Sequence, residues 1–139
     1  MSAKTQPMLL CLDLDEGSEA LARYVAVRAA CYKQAVHVLH VCPKGASTSA
    51  IEEARVRLKG LVTAFLEQVA VEAVAIRAGL PEETIAAYVK EYPVDPIVLG
   101  RRKRSMVERM QVGSTTSTVI SLACCPVLVV PLDFSEESS

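Results

Sequence analysis

The densest candidate chemistry lies between Leu99 and Ser117, where the chain reads LGRRKRSMVERMQVGSTTS. Gly100 follows an apolar run, four basic residues come next, and Gly113 precedes a run of hydroxyl-bearing residues that begins with Ser114, Thr115 and Thr116. A glycine lets a ligand approach the backbone closely. A helix that begins at Gly113-Ser114 would offer unpaired N–H groups and the positive end of its dipole to an anion. These groups suit a phosphate, although they also fit an ordinary N-cap after a solvated loop.

The basic run from Arg101 to Arg104 concentrates positive charge in a chain whose net charge is close to zero. The net charge is −1, and five of the fifteen Lys and Arg residues fall between Arg101 and Arg109. No overall field therefore attracts nucleic acid or a membrane surface, and we expect neither as a partner. Ser105 follows the basic run as in many kinase substrates, and a phosphate there would pair with the neighbouring arginines.

The five cysteines predict neither a disulfide framework nor a zinc site. Their number is odd and no CxxC pair exists, whereas both kinds of site need paired spacings. Cys11, Cys31 and Cys42 lie in apolar runs and are predicted to be small core side chains. Cys124 and Cys125 form a vicinal pair, which leaves a redox sensor as a further hypothesis.

Length and composition indicate one globular domain spanning residues 1–139, with residues 1–7 and 133–139 as loose tails. A domain of 139 residues buries enough surface for one core. The mean hydropathy of +0.29 argues against disorder. There is no run of 18 apolar residues and no apolar N-terminal leader, so we expect a cytoplasmic protein.

Apolar runs alternate with helical patterns along the chain. The predicted strands are Met8–Asp13, Ala35–Val41, a segment within Val69–Gly79, Pro96–Leu99 and Pro126–Pro131. The predicted helices are Ser18–Lys33, one opened by a capping box at Ser49–Glu52, one starting at Pro81, and Ser114–Ala123. This alternation predicts a parallel sheet with helices on both faces.

Helical spacing assigns apolar faces to the first three helices. The predicted buried side chains are Leu21, Val25, Ala29 and Tyr32 in the first; Ile51, Ala54, Leu58, Leu61, Val62, Phe65 and Leu66 in the second; and Ile85, Val89 and Tyr92 in the third. His37 and His40 are three positions apart in one strand. We therefore predict that they face opposite sides of the sheet as packed residues rather than metal ligands.

Three strands are followed by residues suited to a ligand. In an open parallel sheet, ligands bind beyond the carboxyl ends of the strands, where the strand order reverses. Asp13 follows the first strand, Val41 and Cys42 end the second, and Gly100 follows the fourth. The sequence therefore predicts a site at this edge.

Four segments in order resemble the universal stress protein family, and the resemblance covers essentially the whole chain. They are MLLCLDLDEGSEALARYVAVRAA, HVLHVCP, GLPEETIAAYVKEYPVDPIVLG and CPVLVVP. The resemblance implies an open five-stranded parallel sheet of order 3-2-1-4-5 with helices on both faces. This is the Rossmann-like, adenine nucleotide alpha hydrolase-like fold.

ATP-binding members of that family carry Gly, two residues, Gly, nine residues, then Gly-Ser or Gly-Thr. Here Gly100 is followed by two arginines, Lys103 replaces the second glycine, and Gly113-Ser114 comes after nine further residues. The resemblance places Asp13 at the adenosine end, the Val41 backbone at the base, and Ser114, Thr115 and Thr116 at the phosphates. It implies a nucleotide site of Leu12, Asp13, Val41, Leu99, Gly100, Lys103, Gly113, Ser114, Thr115 and Thr116, beside a basic loop of Arg101, Arg102 and Arg104.

Two functional hypotheses differ in the effect that they assign to Lys103. A side chain there costs about 1 kcal/mol if the backbone has a positive φ, or it blocks the phosphates, although its charge would attract them. The first hypothesis is a stress-response sensor of ATP or a related adenine nucleotide, with Mg²⁺ entering alongside the phosphates. No general base lies beside a nucleophile, so slow ATP hydrolysis is the most enzymatic activity we expect. The alternative is a module that binds no nucleotide and whose basic loop docks an acidic protein partner.

A homodimer is predicted under both hypotheses. In the strand order that the resemblance implies, the last strand lies at the edge of the sheet and contributes Val127–Val130. An exposed strand edge needs cover, and pairing with a two-fold related copy would supply it.

Overall fold

The structure, a computed structural model, describes residues 5–15, 17–101, 118–119 and 125–132. Its strands are β1 (Met8–Cys11), β2 (Val36–Cys42), β3 (Val71–Ala78), β4 (Ile97–Arg101) and β5 (Val127–Pro131). Its helices are α1 (Ser18–Tyr32), α2 (Thr48–Phe65) and α3 (Pro81–Glu91). Residues 118 and 119 are helical, and the rest of the predicted fourth helix lies outside the described residues.

The five strands form one parallel sheet in the order β3-β2-β1-β4-β5, as predicted. Leu9 of β1 is in register with His37 of β2 on one side and with Ile97 of β4 on the other. The chain builds outward from β1 in one direction and then crosses to the other side at β4. The strand order therefore reverses between β1 and β4.

Each face of the sheet carries its own core, because successive strand residues point to opposite faces. Leu10 and Leu12 pack with α1 and α2, whereas Leu9 packs with α3 and Val119. This confirms helices on both faces.

Just before β1, the Pro7 carbonyl accepts a hydrogen bond from the Asp95 N–H at 2.9 Å.

Two tyrosines predicted to be buried are exposed, and a third takes their place. Tyr32 is 63% exposed as the last residue of α1, and Tyr92 is 42% exposed because α3 ends one residue before it. Tyr88 is only 2% exposed. It lies one helical turn after Ile85, where it joins the buried face of α3.

Helix α2 begins two residues earlier than its predicted capping box. Ser47 is the N-cap, and its hydroxyl accepts a hydrogen bond from the Ala50 N–H at 3.0 Å. Ser49 therefore lies inside the first turn, and the predicted box from Ser49 to Glu52 is wrong. Since Ser47 already satisfies one of the unpaired N–H groups, the helix does not need a later cap.

The cysteines are less uniformly buried than predicted. Cys42 is buried and Cys11 is half-buried, but Cys31 is exposed on the outer side of α1, so its prediction as a core residue is wrong. Burial raises the pKa of the Cys11 thiol, which keeps it in the unreactive protonated form. Cys125 is half-buried, and Cys124, its partner in the hypothesis of a redox sensor, lies outside the described residues.

The position of Gly100 has no room for a side chain, because Leu132 occupies the space beside it. A Cβ at Gly100 would overlap Leu132 Cδ1 and lie 3.0 Å from its Cγ, and a Cβ at Gly17 would lie 2.7 Å from the same Cδ1. Leu132 thus fits between the exit of β4 and the start of α1. The sequence predicts that Gly100 admits a ligand, and the structure adds that it admits this leucine.

We expect Gly100→Ala to lower the free energy of unfolding by about 1–3 kcal/mol, the usual cost of overpacking. Urea denaturation should show a smaller loss when the same change is made in a Leu132→Ala background, because the overlapping atoms are gone. An equal loss in both backgrounds would mean that Leu132 is not the constraint on Gly100.

Candidate functional site

The topology brings three predicted site residues to one edge of the sheet. Asp13 follows β1, Val41 is next to last in β2, and Gly100 is next to last in β4. Because β1 lies between β2 and β4 and all three are parallel, these residues share the carboxyl edge. This is the point of strand-order reversal, where open parallel sheets bind ligands.

Asp13 is exposed at this edge, between two buried leucines. Leu12 is 2% exposed and Leu14 is 5% exposed, and both side chains pack into the core shared with α1 and α2. The Leu12 N–H still donates to the Leu39 carbonyl of β2 at 3.0 Å, which extends the pairing one residue beyond β1. The carboxylate of Asp13 is therefore presented from a segment held on both sides.

The turn after Asp13 is organised by carboxylate groups. The Asp15 N–H donates to the Asp13 carboxylate at 3.4 Å, and the Asp15 carboxylate accepts from the Gly17 N–H at 3.0 Å. Leu14 between them has a φ of 63°, a left-handed conformation uncommon for a residue with a branched side chain. These contacts lead directly into α1, whose N-cap is Gly17.

Two side chains from other elements bind the backbone on either side of Asp13. His40 of β2, only 8% exposed, has Nδ1 2.7 Å from the Leu12 carbonyl oxygen. A carbonyl only accepts, so Nδ1 carries the proton. The Arg57 guanidinium of α2 donates to the Leu14 carbonyl. His40 is a packed residue, as predicted, but neither its hydrogen bond nor that of Arg57 was predicted, because nothing local in the sequence marks either contact.

The end of β2 borders a charged pair on the neighbouring strand. Val41 is half-buried, packs against the α3 core and is in register with Arg77 of β3. The Arg77 guanidinium lies 3.6 Å from the Glu91 carboxylate and stacks 5.3 Å above the Tyr88 ring. The in-register neighbour of Val41 on β3 is thus one member of a charged pair.

The phosphate half of the predicted site lies outside the described residues. This applies to Arg102, Lys103, Arg104, Gly113, Ser114, Thr115 and Thr116, and to the candidate modification site Ser105. Arg101 is half-buried at the end of β4, and its carbonyl accepts from the Leu132 N–H at 2.8 Å. Leu99 is buried, 6% exposed, on the α3 side of the sheet.

The opposite face of β2 carries a polar cluster that the sequence did not reveal. His37 Nδ1 lies 2.8 Å from the Tyr88 hydroxyl, and His37 Nε2 lies 3.6 Å from the Glu72 carboxylate. His37 and His40 thus face opposite sides of the sheet, as predicted. The spacing of Ile85 and Tyr88 was the available signal for burial, but nothing local indicates the hydrogen bond.

Two general properties bear on function. Within residues 5–15, 17–101, 118–119 and 125–132, no cluster of three or more His, Cys, Asp or Glu is arranged to hold a metal ion. In that same part of the chain, every helix is too short or too polar to cross a membrane.

Comparisons with known proteins agree on one family. The model of the Universal stress protein family matches residues 4–131. Among solved structures, a universal stress protein from Archaeoglobus fulgidus superposes with a TM-score of 0.75 at 26% identity, covering 91% of this chain and 99% of that one. A second structure from that organism, in complex with dAMP, gives a TM-score of 0.71 at 25% identity, covering 90% and 97%.

The fold extends to a bacterial relative of lower identity. Universal stress protein UspA from Lactobacillus plantarum has a TM-score of 0.66 at 24% identity, covering 92% of this chain and 99% of that one. A search of curated proteins gives no match. The family match spans nearly all of the chain, and the strand order is the one that the resemblance to this family implies. This protein therefore belongs to the Universal stress protein family.

Proposed function

We propose that this universal stress protein binds ATP, or a related adenine nucleotide, where β1, β2 and β4 end, and that it acts as a nucleotide sensor in the stress response. The observation that carries the proposal is the position of Asp13. It is an exposed carboxylate at the strand-order reversal, on the same edge as Val41 and Gly100. The Archaeoglobus fulgidus structure in complex with dAMP supports an adenine nucleotide as the ligand.

Each part of the proposed site has a distinct chemical role. The Asp13 carboxylate accepts hydrogen bonds from ribose hydroxyls, and backbone groups near Val41 contact the base. Gly113, Ser114, Thr115 and Thr116 hold the phosphates with backbone N–H and hydroxyl groups, and Lys103 and the basic loop add positive charge. Mg²⁺ would accompany the phosphates. We expect at most slow ATP hydrolysis, and we expect the protein in the cytoplasm.

Calorimetric titration with ATP tests the proposal through Asp13→Ala. A hydrogen bond to a charged group contributes about 1.5–3 kcal/mol, so we expect affinity to fall by about 10- to 100-fold. Asp95→Ala is the matched control, because Asp95 is also exposed but precedes β4 at the opposite, amino edge of the sheet. Equal affinities for wild-type and Asp13→Ala protein would contradict the proposed site.

One residue favours a second function. Lys103 stands where ATP-binding relatives have the second glycine of the motif, and the run from Arg101 to Arg104 is strongly basic. If the lysine closes the phosphate site, the protein is an interaction module that docks an acidic partner through this loop. ATP titration of the wild-type protein beside Lys103→Gly separates the two functions, because only the nucleotide sensor binds ATP with the lysine in place.

We propose a homodimer formed through β5 in either case. In the described sheet β5 has a neighbouring strand, β4, on one side only, and Val127, Leu128 and Val129 are half-buried. Pairing of this edge with a second copy would satisfy its outward backbone groups. Sedimentation equilibrium over a range of protein concentrations should give the dimer mass, and a monomer at every concentration would contradict the proposed dimer.

A further inference from the structure

The backbone immediately before Asp13 is fixed by a buried histidine. Leu12 is hydrogen-bonded through both of its backbone groups, its N–H to the Leu39 carbonyl at 3.0 Å and its carbonyl to His40 Nδ1 at 2.7 Å. Both partners come from β2, the strand beside β1. His40 is held in place by burial, since it is 8% exposed. Leu12 is therefore anchored although it lies beyond the last residue of β1.

The backbone immediately after Asp13 is fixed by an arginine from a different element. The Arg57 guanidinium reaches from α2 to the Leu14 carbonyl. Leu14 has the left-handed φ of 63°, a conformation that an L-residue keeps only when its surroundings enforce it. The buried Leu14 side chain provides one such constraint and the Arg57 hydrogen bond provides the second.

We infer that His40 and Arg57 are positioning residues for Asp13, and that they preorganise its carboxylate for the nucleotide by holding the carbonyls on either side of it. This inference rests on the proposed function. The two side chains come from β2 and α2, so both anchors lie outside the β1–α1 turn that they hold. A ligand group that is held before binding gains affinity because less ordering remains to be done on association.

A structural role alone would make a different prediction. If the two contacts only stabilised the fold, their loss would lower stability without reference to Asp13. If they position Asp13, their loss should weaken ATP binding mainly when Asp13 is present. The coupling between the sites therefore distinguishes the two roles.

The first measurement is amide hydrogen exchange by NMR on the protein without nucleotide. Arg57→Met and His40→Leu remove the two donors, and we expect exchange at the Asp15 and Gly17 amides to become about five- to tenfold faster. Arg55→Met is the control, because Arg55 is on the same helix and instead contacts Glu52 at 3.4 Å. Unchanged exchange in both test variants would overturn the inference, whether or not the protein binds ATP.

The second measurement is a double-mutant cycle on ATP affinity. We expect Arg57→Met to weaken binding about five- to tenfold in the wild-type background and much less in an Asp13→Ala background. The same loss in both backgrounds, or faster exchange with no loss of affinity, would overturn the positioning role. If wild-type protein binds no ATP, the proposed function fails, and the exchange measurement still decides whether the turn is held.

Conservative variants guard against misfolding as the cause. His40→Asn keeps a side-chain N–H near the position of Nδ1, and Arg57→Lys keeps a cationic donor. We expect both to recover most of the exchange protection and ATP affinity that His40→Leu and Arg57→Met lose. If His40→Leu does not fold, the Arg57 pair alone carries the test, and failure of Arg57→Lys to recover either property would count against the inference.

Discussion

Replacing Gly113 with valine is expected to abolish ATP binding and to leave the protein folded. Gly113 is the last glycine of the spaced motif that begins at Gly100, and it stands directly before the hydroxyl-bearing residues proposed to hold the phosphates. A branched side chain at this position would occupy the space that the phosphates need, since glycine is used where a ligand approaches the backbone. Calorimetry with ATP, with circular dichroism to verify folding, measures the effect.

The control for Gly113→Val is the same substitution at Gly60. Gly60 lies in α2, and a Cβ added there meets nothing within 4 Å. Gly60→Val should therefore retain both fold and ATP affinity. If Gly113→Val also retains its affinity, the phosphates do not bind at this motif and the proposed site is wrong.

Lys103→Gly gives the complementary result. If the loop is otherwise intact, restoring the motif glycine should create or strengthen ATP affinity, because it removes a side chain from the phosphate site. If ATP affinity does not increase and the wild-type protein does not bind ATP, the pocket is closed elsewhere. If Lys103→Gly binds ATP and the wild-type protein does not, the lysine closes the phosphate site. In both of these cases the wild-type protein binds no ATP, which favours the interaction module that docks an acidic partner.

The second large effect is on stability, at Tyr88. Its side chain is among the largest that are fully buried, and it packs in the α3 core with Ile85, Val89 and Leu9. Truncation of a buried aromatic side chain costs about 3–5 kcal/mol, so Tyr88→Ala should lower the free energy of unfolding by that amount. Urea denaturation measures it, and a loss below about 1 kcal/mol would show that the α3 face is not closely packed.

Tyr88→Phe separates the hydrogen bond from the packing. It keeps the ring and removes the hydroxyl that lies 2.8 Å from His37 Nδ1. We expect a loss of about 1 kcal/mol, the net contribution of one hydrogen bond. A loss as large as that of Tyr88→Ala would assign most of the stabilisation to the polar cluster rather than to the ring.

Tyr88 also makes stability depend on pH in alkaline solution. Burial raises its pKa above the usual value of 10.0, against the opposing charge of Arg77. A pKa raised in the folded state gives stability that is complete below pH 10 and is lost as pH rises through the folded pKa. The stability advantage of wild-type protein over Tyr88→Phe should therefore decrease as the pH rises above 10. An advantage that stays constant with pH would contradict a raised pKa for Tyr88.

The fold was predictable because the central strands β1, β2 and β4 are largely buried on both faces. Runs such as that of β1 are apolar at every position, as expected of strands in a parallel sheet covered on both sides, and their alternation with helices favours that arrangement. The order of the strands came from the resemblance, since alternation of elements alone does not order a sheet. The alternation of strands and helices, together with this strand order, placed Asp13, Val41 and Gly100 at one carboxyl edge of the sheet.

Contacts between distant parts of the chain were not predictable from local patterns. Ser47 and Ser49 are equally good caps in isolation, and tertiary context selects Ser47. Leu132 beside Gly100 and Arg57 beside Leu14 join residues that are far apart in the sequence, so spacing within one element does not reveal these contacts. The sequence therefore predicted the edge of the sheet at which the proposed site lies, but not the long-range contacts that hold it.

The measurement that tests the central claim most directly combines bound nucleotide with thermal unfolding. Purified protein is denatured and the released adenine nucleotide is assayed, and intact protein is then unfolded with and without MgATP. A ligand at 100 times its dissociation constant stabilises by about 2.7 kcal/mol, a rise of roughly 5–10 °C in Tm for a domain of this size. We predict released nucleotide, or a rise in Tm of that size. If no nucleotide is released and Tm does not rise, nucleotide binding is contradicted and the basic loop is left as a docking surface.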